Sequence, residues 1–324
     1  MVSDLFAVHR ARRSTIRSLI VSVCCLVSLA SAAVAQGLEA PKPTKANVPY
    51  GPHARQVLDF YQAKSDAPTP LLFFVHGGGW MVGDKGNPDF RDQCLKQGIS
   101  VVSINYRLIP DAIADKVEPP VEACLRDAAR ALQFVRSHAK EWNIDPERVA
   151  ACGGSAGGFT SLWLGFHPDM ADPRSADPVA RESTRVRCVM AFVPQTSLDP
   201  RQMREWIPNT DYGHHAFALP SYAEFLKRRE ELLPSIRKFS PYELVSKDDP
   251  PVYLFYDTPL QMGQAYKDPP HSANFGGGLV EVLKREGVEF EFNYPGATGV
   301  KHPDLFSFIV EKLDQGVRPG PGSP

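Results

Sequence analysis

Short apolar runs alternate with longer segments of helical periodicity between residues 57 and 313. Several runs are almost continuous Val, Ile, Leu and Phe, which is typical of strands buried on both faces of a sheet. Strands are predicted at 57–61, 71–75, 100–105, 149–153, 186–193, 252–256 and 289–294, and helices at 89–97, 121–142, 156–166, 272–286 and 303–313. This alternation predicts right-handed crossovers, a mostly parallel sheet and the α/β fold class.

One connection is longer than the rest. Almost sixty residues separate the predicted strand that ends at Val193 from the strand that begins at Val252, about twice what a single crossover helix needs. Since ligands of such folds bind at the carboxyl edge of the sheet, residues 195–250 are predicted to form a cap over that edge. A structural excursion without a role in binding is the alternative.

The N-terminus has the composition of an export signal. Four arginines between Arg10 and Arg17 precede an apolar run from Leu19 to Ala30, and Ala33-Val34-Ala35 follows. A run of twelve residues is shorter than the roughly 20 that span a bilayer. We therefore predict a signal peptide at 1–35, a linker at 36–49, the main domain at 50–314 and a disordered tail at 315–324. The mature protein is expected to be secreted or periplasmic, without a stable membrane anchor.

Composition narrows the function classes. The chain has 36 basic and 37 acidic residues, so no overall field favours nucleic acid as a partner. Cleavage of the signal would leave Cys94, Cys124, Cys152 and Cys188, whose spacing fits no metal or disulfide framework. No ligand cluster suggests a metal, and no cofactor is expected. The sequence leaves the oligomeric state open.

The strongest motif surrounds Ser155. Gly153 and Gly157 flank this serine in a G-x-S-x-G pattern, between a predicted strand and a predicted helix. A sharp strand-to-helix turn exposes the hydroxyl as a nucleophile and needs small residues at both flanking positions. A phosphate loop is the alternative, but no Lys-Ser/Thr pair follows the glycines.

A second motif, His76-Gly77-Gly78-Gly79-Trp80, follows the strand predicted at 71–75. A serine nucleophile needs backbone N–H donors for the oxyanion of its tetrahedral intermediate, and glycines let the main chain approach a substrate closely. The N–H groups of Gly78, Gly79 and Ala156 are therefore predicted to form the oxyanion hole. Without the serine motif, the glycines would indicate only a flexible loop.

With these motifs, the sequence resembles the HGGG-type esterases and lipases of the α/β-hydrolase superfamily, among them hormone-sensitive-lipase-like and feruloyl- or acetylxylan-esterase-like members. Asn105-Tyr106-Arg107-Leu108 and Asp145-Pro146-Glu147-Arg148-Val149 also match. The resemblance covers residues 50–313. It implies an eight-stranded, mostly parallel sheet with helices on both faces, and a catalytic triad in the order Ser, Asp, His.

The acid of that triad has two candidates, because the family's His-Gly-x-x-Asp run is replaced here by Tyr256-Asp257-Thr258-Pro259. Asp268 is preferred, since the helix predicted after it keeps the family's spacing from the acid. Asp257 is the rival. Either could instead be an ordinary aspartate of a surface turn.

The base also has two candidates. In the family it follows the last strand, where this chain has His302, displaced by about three residues from the usual position. His302 is therefore predicted as the base. His271, three residues from Asp268, is the rival and is otherwise expected to pack beside the site or to contact substrate.

Two further residues are candidates for substrate contact. Trp80 could line the acyl pocket or simply belong to the core, and Gln195 follows the sixth of the eight implied strands and faces the same crevice. The run Gly276-Gly277-Gly278 lies within a predicted helix, where each glycine costs about 1 kcal/mol relative to alanine, and the sequence does not explain it.

The sequence therefore predicts a serine hydrolase of carboxylic esters. The resemblance and the predicted export together favour a small-molecule or polysaccharide substrate, such as acetyl or feruloyl esters of plant polymers. An arylformamidase or other amidase could use the same triad. A catalytically silent binding protein is the alternative from another class, because the acid and base loops depart from the family pattern.

The predicted signal peptide can be tested directly. Cleavage after Ala35 would give an exported protein that begins at or near Gln36. N-terminal sequencing of protein from the periplasm or culture medium measures this end, and exported protein that keeps Met1 would contradict the prediction.

Overall fold

The computed structural model describes residues 41–314, and of these residues 43–314 belong to one compact unit. The predicted signal peptide at 1–35 and the predicted tail at 315–324 lie outside the described residues, as does the linker as far as residue 40. No helix in the described part of the chain is both long enough and apolar enough to cross a bilayer.

Eight strands form a single sheet in the order β1-β2-β4-β3-β5-β6-β7-β8. The pairs β1–β2 and β2–β4 are antiparallel, and all other pairs are parallel. The mostly parallel α/β sheet implied by the sequence and the resemblance is confirmed. The strands are β1 Lys45–Pro49, β2 Val57–Tyr61, β3 Thr69–Val75, β4 Ser100–Ile104, β5 Ile144–Gly154, β6 Cys188–Phe192, β7 Val252–Phe255 and β8 Phe290–Asn293.

Strand β1 corrects the predicted linker at 36–49. Its sequence, Lys-Ala-Asn-Val-Pro, lacks the apolar run that marks a buried strand, and all five residues are exposed or half-buried. Lys45–Pro49 nevertheless pairs with β2 at the edge of the sheet, where one side of a strand can face water.

Helices of 4 to 17 residues connect and cover these strands. The α-helices are α1 Arg91–Lys96, α2 Ile109–Ala114, α3 Val121–Ser137, α4 Ala156–Phe166, α5 Pro200–Trp206, α6 Tyr222–Lys227, α7 Arg229–Phe239, α8 Pro241–Leu244, α9 Asn274–Glu286 and α10 Leu305–Asp314. Helices α5 to α8 lie in the long connection between β6 and β7, which also contains the 3₁₀ turn His214–Phe217.

The sheet is buried on both faces. Leu71, Phe73 and Val75 of β3 belong to one hydrophobic cluster, and the alternating residues Leu72 and Phe74 belong to another. Side chains of a strand alternate between the two faces of its sheet, so each cluster lies on one face. This double burial holds the central strands rigid and fixes the positions of their carboxyl ends.

Close packing explains the glycine run in α9. A Cβ at Gly276 would lie 2.5 Å from ring carbons of both Tyr256 and Phe292, and a Cβ at Gly278 would lie 2.5 Å from Cε2 of Trp206. Real Cβ atoms do not approach other atoms so closely. The glycines therefore let aromatic rings pack directly on the helix backbone, which offsets their low helix propensity.

Alanine substitution in this helix tests the explanation. Gly278→Ala should lower the free energy of unfolding by about 1–3 kcal/mol, because the buried Trp206 ring has to move. Gly277→Ala is the matched control. Its Cβ would meet Cδ1 of Leu260 (2.6 Å) and Sδ of Met262 (3.0 Å), the ends of flexible side chains that are half-buried and exposed and can move aside. Urea denaturation of both variants measures the difference, and equal losses would contradict the role of the ring.

Candidate active site

Ser155 occupies a strained turn between β5 and α4. Its φ of 52° and ψ of −123° lie outside the regions that non-glycine residues usually adopt. Its backbone N–H donates to the carbonyl of Phe192 at the end of β6 (3.0 Å), and its own carbonyl accepts from Phe159 in α4 (2.9 Å). These two bonds hold the turn, and the serine itself remains half-exposed.

The flanking glycines let this turn approach the end of β3. A Cβ at Gly153 would lie 2.6 Å from the carbonyl carbon of Gly157, and a Cβ at Gly157 would lie 2.8 Å from the carbonyl carbon of His76. Both hypothetical atoms would also clash with the carbonyl oxygen of Val75. Only glycine fits at either position, and this close packing is the physical reason for the G-x-S-x-G pattern.

Three polar side chains form a chain of contacts at this turn. Ser155 Oγ lies 3.0 Å from His271 Nε2, and His271 Nδ1 lies 2.7 Å from Asp268 Oδ2. Asp268 and His271 share a single 3₁₀ turn, Pro269–His271, between β7 and α9. The carboxylate therefore faces one ring nitrogen while the other faces the serine hydroxyl, the geometry of a nucleophile, a base and an orienting acid.

His302 does not lie against Ser155, so its predicted contact with the serine is wrong. It follows β8 as expected, but its Nδ1 lies 2.5 Å from Glu291 Oε1 and its Nε2 lies 3.0 Å from Glu311 Oε2. Its backbone N–H also donates to Glu291 (2.8 Å). Two carboxylates thus occupy both ring nitrogens, and the ring is almost completely buried between β8 and α10.

His271, the rival candidate, takes the position next to the serine. The signal in the sequence was the spacing of three residues in Asp268-Pro269-Pro270-His271, which places an acid and an imidazole on one turn. Asp257, the rival acid, lies exposed just after β7, and among the described residues its side chain has no hydrogen bond to either histidine.

The glycine loop after β3 packs directly on the serine turn. A Cβ at Gly77 would lie 2.8 Å from the carbonyl oxygen of Gly154 and 3.5 Å from Cβ of Ser155. Gly78 and Gly79 have φ values of 99° and 60°, in the region that favours glycine. Within the described chain, neither of their backbone N–H groups makes a hydrogen bond, which leaves both as donors at the edge where Ser155 lies.

His76 anchors this loop. Its ring stacks on Tyr106 with a centroid separation of 4.4 Å, and its Nδ1 lies 2.8 Å from the carbonyl oxygen of Gly77. The Tyr106 hydroxyl donates to the backbone carbonyl of His76 (2.8 Å). Burial lowers the pKa of His76, so the ring is neutral near neutral pH and serves as a structural support.

Trp80 and Gln195, the predicted substrate contacts, are both fully buried. The Trp80 indole donates to Thr160 in α4 (3.1 Å) and packs edge-on against Phe159. It therefore belongs to the core behind the loop and does not line a pocket. Gln195 Nε2 lies 2.6 Å from the carbonyl oxygen of Pro270 and 3.4 Å from Ser155 Oγ.

The connection between β6 and β7 reaches the glycine loop through His215, a residue that the sequence did not single out as a site residue. A Cβ at Gly79 would lie 3.9 Å from His215 Nε2, and the His215 ring lies between Tyr212 and Trp80 with centroid separations of 4.9 and 6.1 Å. Burial lowers the pKa of His215 to about 4, so a neutral imidazole borders the loop.

The described residues provide a nucleophile with a base at hydrogen-bond distance and two backbone donors beside it, and this arrangement suits acyl transfer. No group of three or more His, Cys, Asp or Glu in this part of the chain could hold a metal ion. The four described cysteines are buried and unpaired.

Solved structures share this fold. An acetyl ester-xyloside bifunctional hydrolase from Caldicellulosiruptor lactoaceticus is 26% identical, with a TM-score of 0.60 over 80% of this chain and 87% of that chain. The esterase Est2 from Thermogutta terrifontis is 24% identical, with a TM-score of 0.57 over 85% of this chain and 91% of that chain. The architecture is that of the α/β-hydrolases.

Sequence relatives are esterases by name. A probable isoprenylcysteine alpha-carbonyl methylesterase of Arabidopsis thaliana is 27% identical over 80% of this chain and 51% of its own length. The carboxylic ester hydrolase LipN of Mycobacterium tuberculosis is 40% identical over 34% of this chain and 28% of its own length. This chain therefore spans about half or less of these relatives.

The match to a family model is broader. The model BD-FAE matches residues 58–259, more than half of the chain, from β2 through the serine turn to the end of β7. This agrees with the resemblance to α/β-hydrolase esterases inferred from the two glycine motifs, and the chain belongs to the BD-FAE family.

Proposed function

We propose that this protein hydrolyses carboxylic esters, with Ser155 as nucleophile, His271 as general base and Asp268 as the acid that orients the imidazole. The observation that carries the proposal is the continuous contact from Ser155 Oγ to His271 Nε2 (3.0 Å) and from His271 Nδ1 to Asp268 Oδ2 (2.7 Å). Its location beside the glycine loop supports the same chemistry, because the N–H groups of Gly78 and Gly79 make no hydrogen bond within the described residues.

The reaction follows from these positions. His271 Nε2 takes the proton of Ser155 as Oγ attacks the ester carbonyl carbon, and it then gives that proton to the leaving alcohol oxygen. Asp268 accepts a hydrogen bond from the Nδ1–H group of His271, which fixes the tautomer and stabilises the imidazolium. In the second half of the reaction His271 Nε2 takes a proton from water as the water oxygen attacks the acyl carbon. It then gives that proton to Ser155 Oγ as the acyl–oxygen bond breaks and the carboxylic acid leaves.

The backbone donors would stabilise the oxyanion. The N–H groups of Gly78, Gly79 and Ala156 are the proposed set, and each such donor contributes about 3 kcal/mol in the transition state. Ala156 is the first residue of α4, so the N-terminal end of that helix adds a favourable dipole for developing negative charge.

For substrates we propose esters of polysaccharides, with acetyl or feruloyl groups as the acyl part. The support is the name of the 26% identical relative, an acetyl ester-xyloside hydrolase, and the export signal predicted at the N-terminus, from which we propose a secreted or periplasmic location. Met81 and Val82, which directly follow the glycine loop, are exposed and offer an apolar surface there.

The alternative hypothesis, a catalytically silent binding protein, is not favoured. It rested on acid and base loops that depart from the family pattern, and the imidazole of His271 within hydrogen-bond distance of Ser155 argues against it. A strained serine turn also has no evident use in a protein that only binds.

Substitution of Ser155 and His271 tests their assignment as nucleophile and base. Ser155→Ala and His271→Ala should each lower kcat for p-nitrophenyl acetate by at least ~10³-fold, because members of a triad act as a unit. Labelling of Ser155 by a fluorophosphonate should be lost in the first variant and strongly slowed in the second.

His302→Ala is the matched control. It should lower the melting temperature, because Glu291 and Glu311 lose their shared partner, while kcat stays within a few-fold of the original protein. A folded His302→Ala enzyme without activity, together with an active His271→Ala enzyme, would reverse the assignment of the base.

Polymer substrates test the proposed class. The original protein should release acetate from acetylated xylan or ferulate from feruloylated arabinoxylan, and Ser155→Ala should release neither. Chromatography of the released acids measures both. Hydrolysis of p-nitrophenyl esters without release of either acid would leave the ester chemistry in place and exclude these polymers as substrates.

A further inference from the structure

Gln195 connects the serine to the turn that carries the base. It lies three residues beyond β6 and is fully buried. Its side-chain Nε2 donates to the carbonyl oxygen of Pro270 (2.6 Å) and lies 3.4 Å from Ser155 Oγ. Pro270 directly precedes His271, so a single amide contacts both the nucleophile and the segment that holds its base.

The orientation of this amide is fixed by chemistry. A backbone carbonyl oxygen carries no hydrogen, so that of Pro270 can only accept a hydrogen bond. The side-chain atom 2.6 Å away must therefore be the amide nitrogen and not the oxygen. The second amide hydrogen is then free to point at Ser155 Oγ.

The opposite end of the side chain is unsatisfied. Gln195 Oε1 is buried and has no hydrogen-bond partner among the described residues. A buried acceptor without a donor costs folding free energy, so stability alone does not explain a glutamine here. The cost is consistent with a side chain retained for what its nitrogen does.

Backbone strain at the same place supports this interpretation. Val193, two residues earlier, has a φ of 44°, a conformation that is a genuine outlier for a β-branched residue. Its N–H donates to Phe255 at the end of β7 (2.7 Å). The strained residue lies where the chain leaves β6, two residues before Gln195, and strain of this kind concentrates at functional sites.

The turn with the base has few bonds of its own. Pro269 and Pro270 supply no backbone N–H, and its internal bonds run from His271 to the carbonyl of Asp268 (3.1 Å) and from Ser272 to Pro269 (3.3 Å). Asp268 is 61% exposed at its side chain. The turn therefore depends on a buried partner to keep His271 at its distance from Ser155.

We propose that Gln195 is a positioning residue for the hydrolytic reaction. It holds the turn Pro269–His271 against the serine through the Pro270 carbonyl, and its second N–H engages a lone pair of Ser155 Oγ so that the hydroxyl hydrogen points at His271 Nε2. This replaces the expected contact with substrate. The inference rests on the proposed function, because it assigns a role within the same site.

The test replaces the amide without changing the side-chain length. Gln195→Met keeps the volume but removes the donor, and Gln195→Glu replaces the donor with an acceptor. Both should lower kcat for p-nitrophenyl acetate by about 10- to 100-fold, with KM within about two-fold, since a small misplacement of reacting groups costs up to this factor. The rate constant of fluorophosphonate labelling at Ser155 should fall by the same factor as kcat.

Gln133→Met is the matched control. Gln133 in α3 is also a buried glutamine whose amide nitrogen donates to a backbone carbonyl, that of Glu182 (2.8 Å). Its substitution should lower the melting temperature and leave kcat and the labelling rate unchanged. If Gln195→Met does not fold, the polar isostere Gln195→Glu decides the question by the same measurements.

Three results would overturn the inference. A raised KM with unchanged kcat and labelling rate would make Gln195 a substrate contact. A lowered melting temperature with unchanged kcat, as expected for the Gln133 variant, would make it a structural residue only. Full activity in both Gln195 variants, with Ser155→Ala inactive, would reject the positioning role while the proposed ester hydrolysis stands.

Discussion

The close approach of the serine turn to the end of β3 is the constraint on which the site depends. No side chain fits at Gly153 or Gly157, because the carbonyl of Val75 and the backbone of the turn itself occupy the space. This contact presses the glycine loop that follows β3 against Ser155. The same packing thus positions the nucleophile and the proposed oxyanion donors, and the doubly buried sheet holds both in place.

The acid and the base come from one turn. In Asp268-Pro269-Pro270-His271, the carboxylate and the imidazole are three residues apart, and two prolines restrict the backbone between them. Their mutual contact is therefore local and needs little help from the rest of the fold. Their distance to Ser155 is not local, and it depends on how the ends of β6 and β7 are joined to the serine turn.

The sequence revealed the features that are encoded over short distances. The apolar runs identified seven strands of the sheet, and the glycine pattern around Ser155 identified the turn, because close packing leaves a compositional trace. Strand β1 was not predicted from the sequence, because an edge strand needs no apolar run. His302 was misassigned because its real partners, Glu291 and Glu311, come from β8 and α10, and such pairing leaves no local pattern in the sequence.

Glu291 and Glu311 hold the ring of His302 between β8 and α10, away from the proposed active site. All of the proposed reacting groups come from the chain between His76 and His271, while the last strand and helix join their histidine to carboxylates of their own. Substitutions that break these contacts between β8 and α10 should therefore act through the stability of the fold. Substitutions of Asp268 or His271 would in addition change the geometry of the proposed reacting groups.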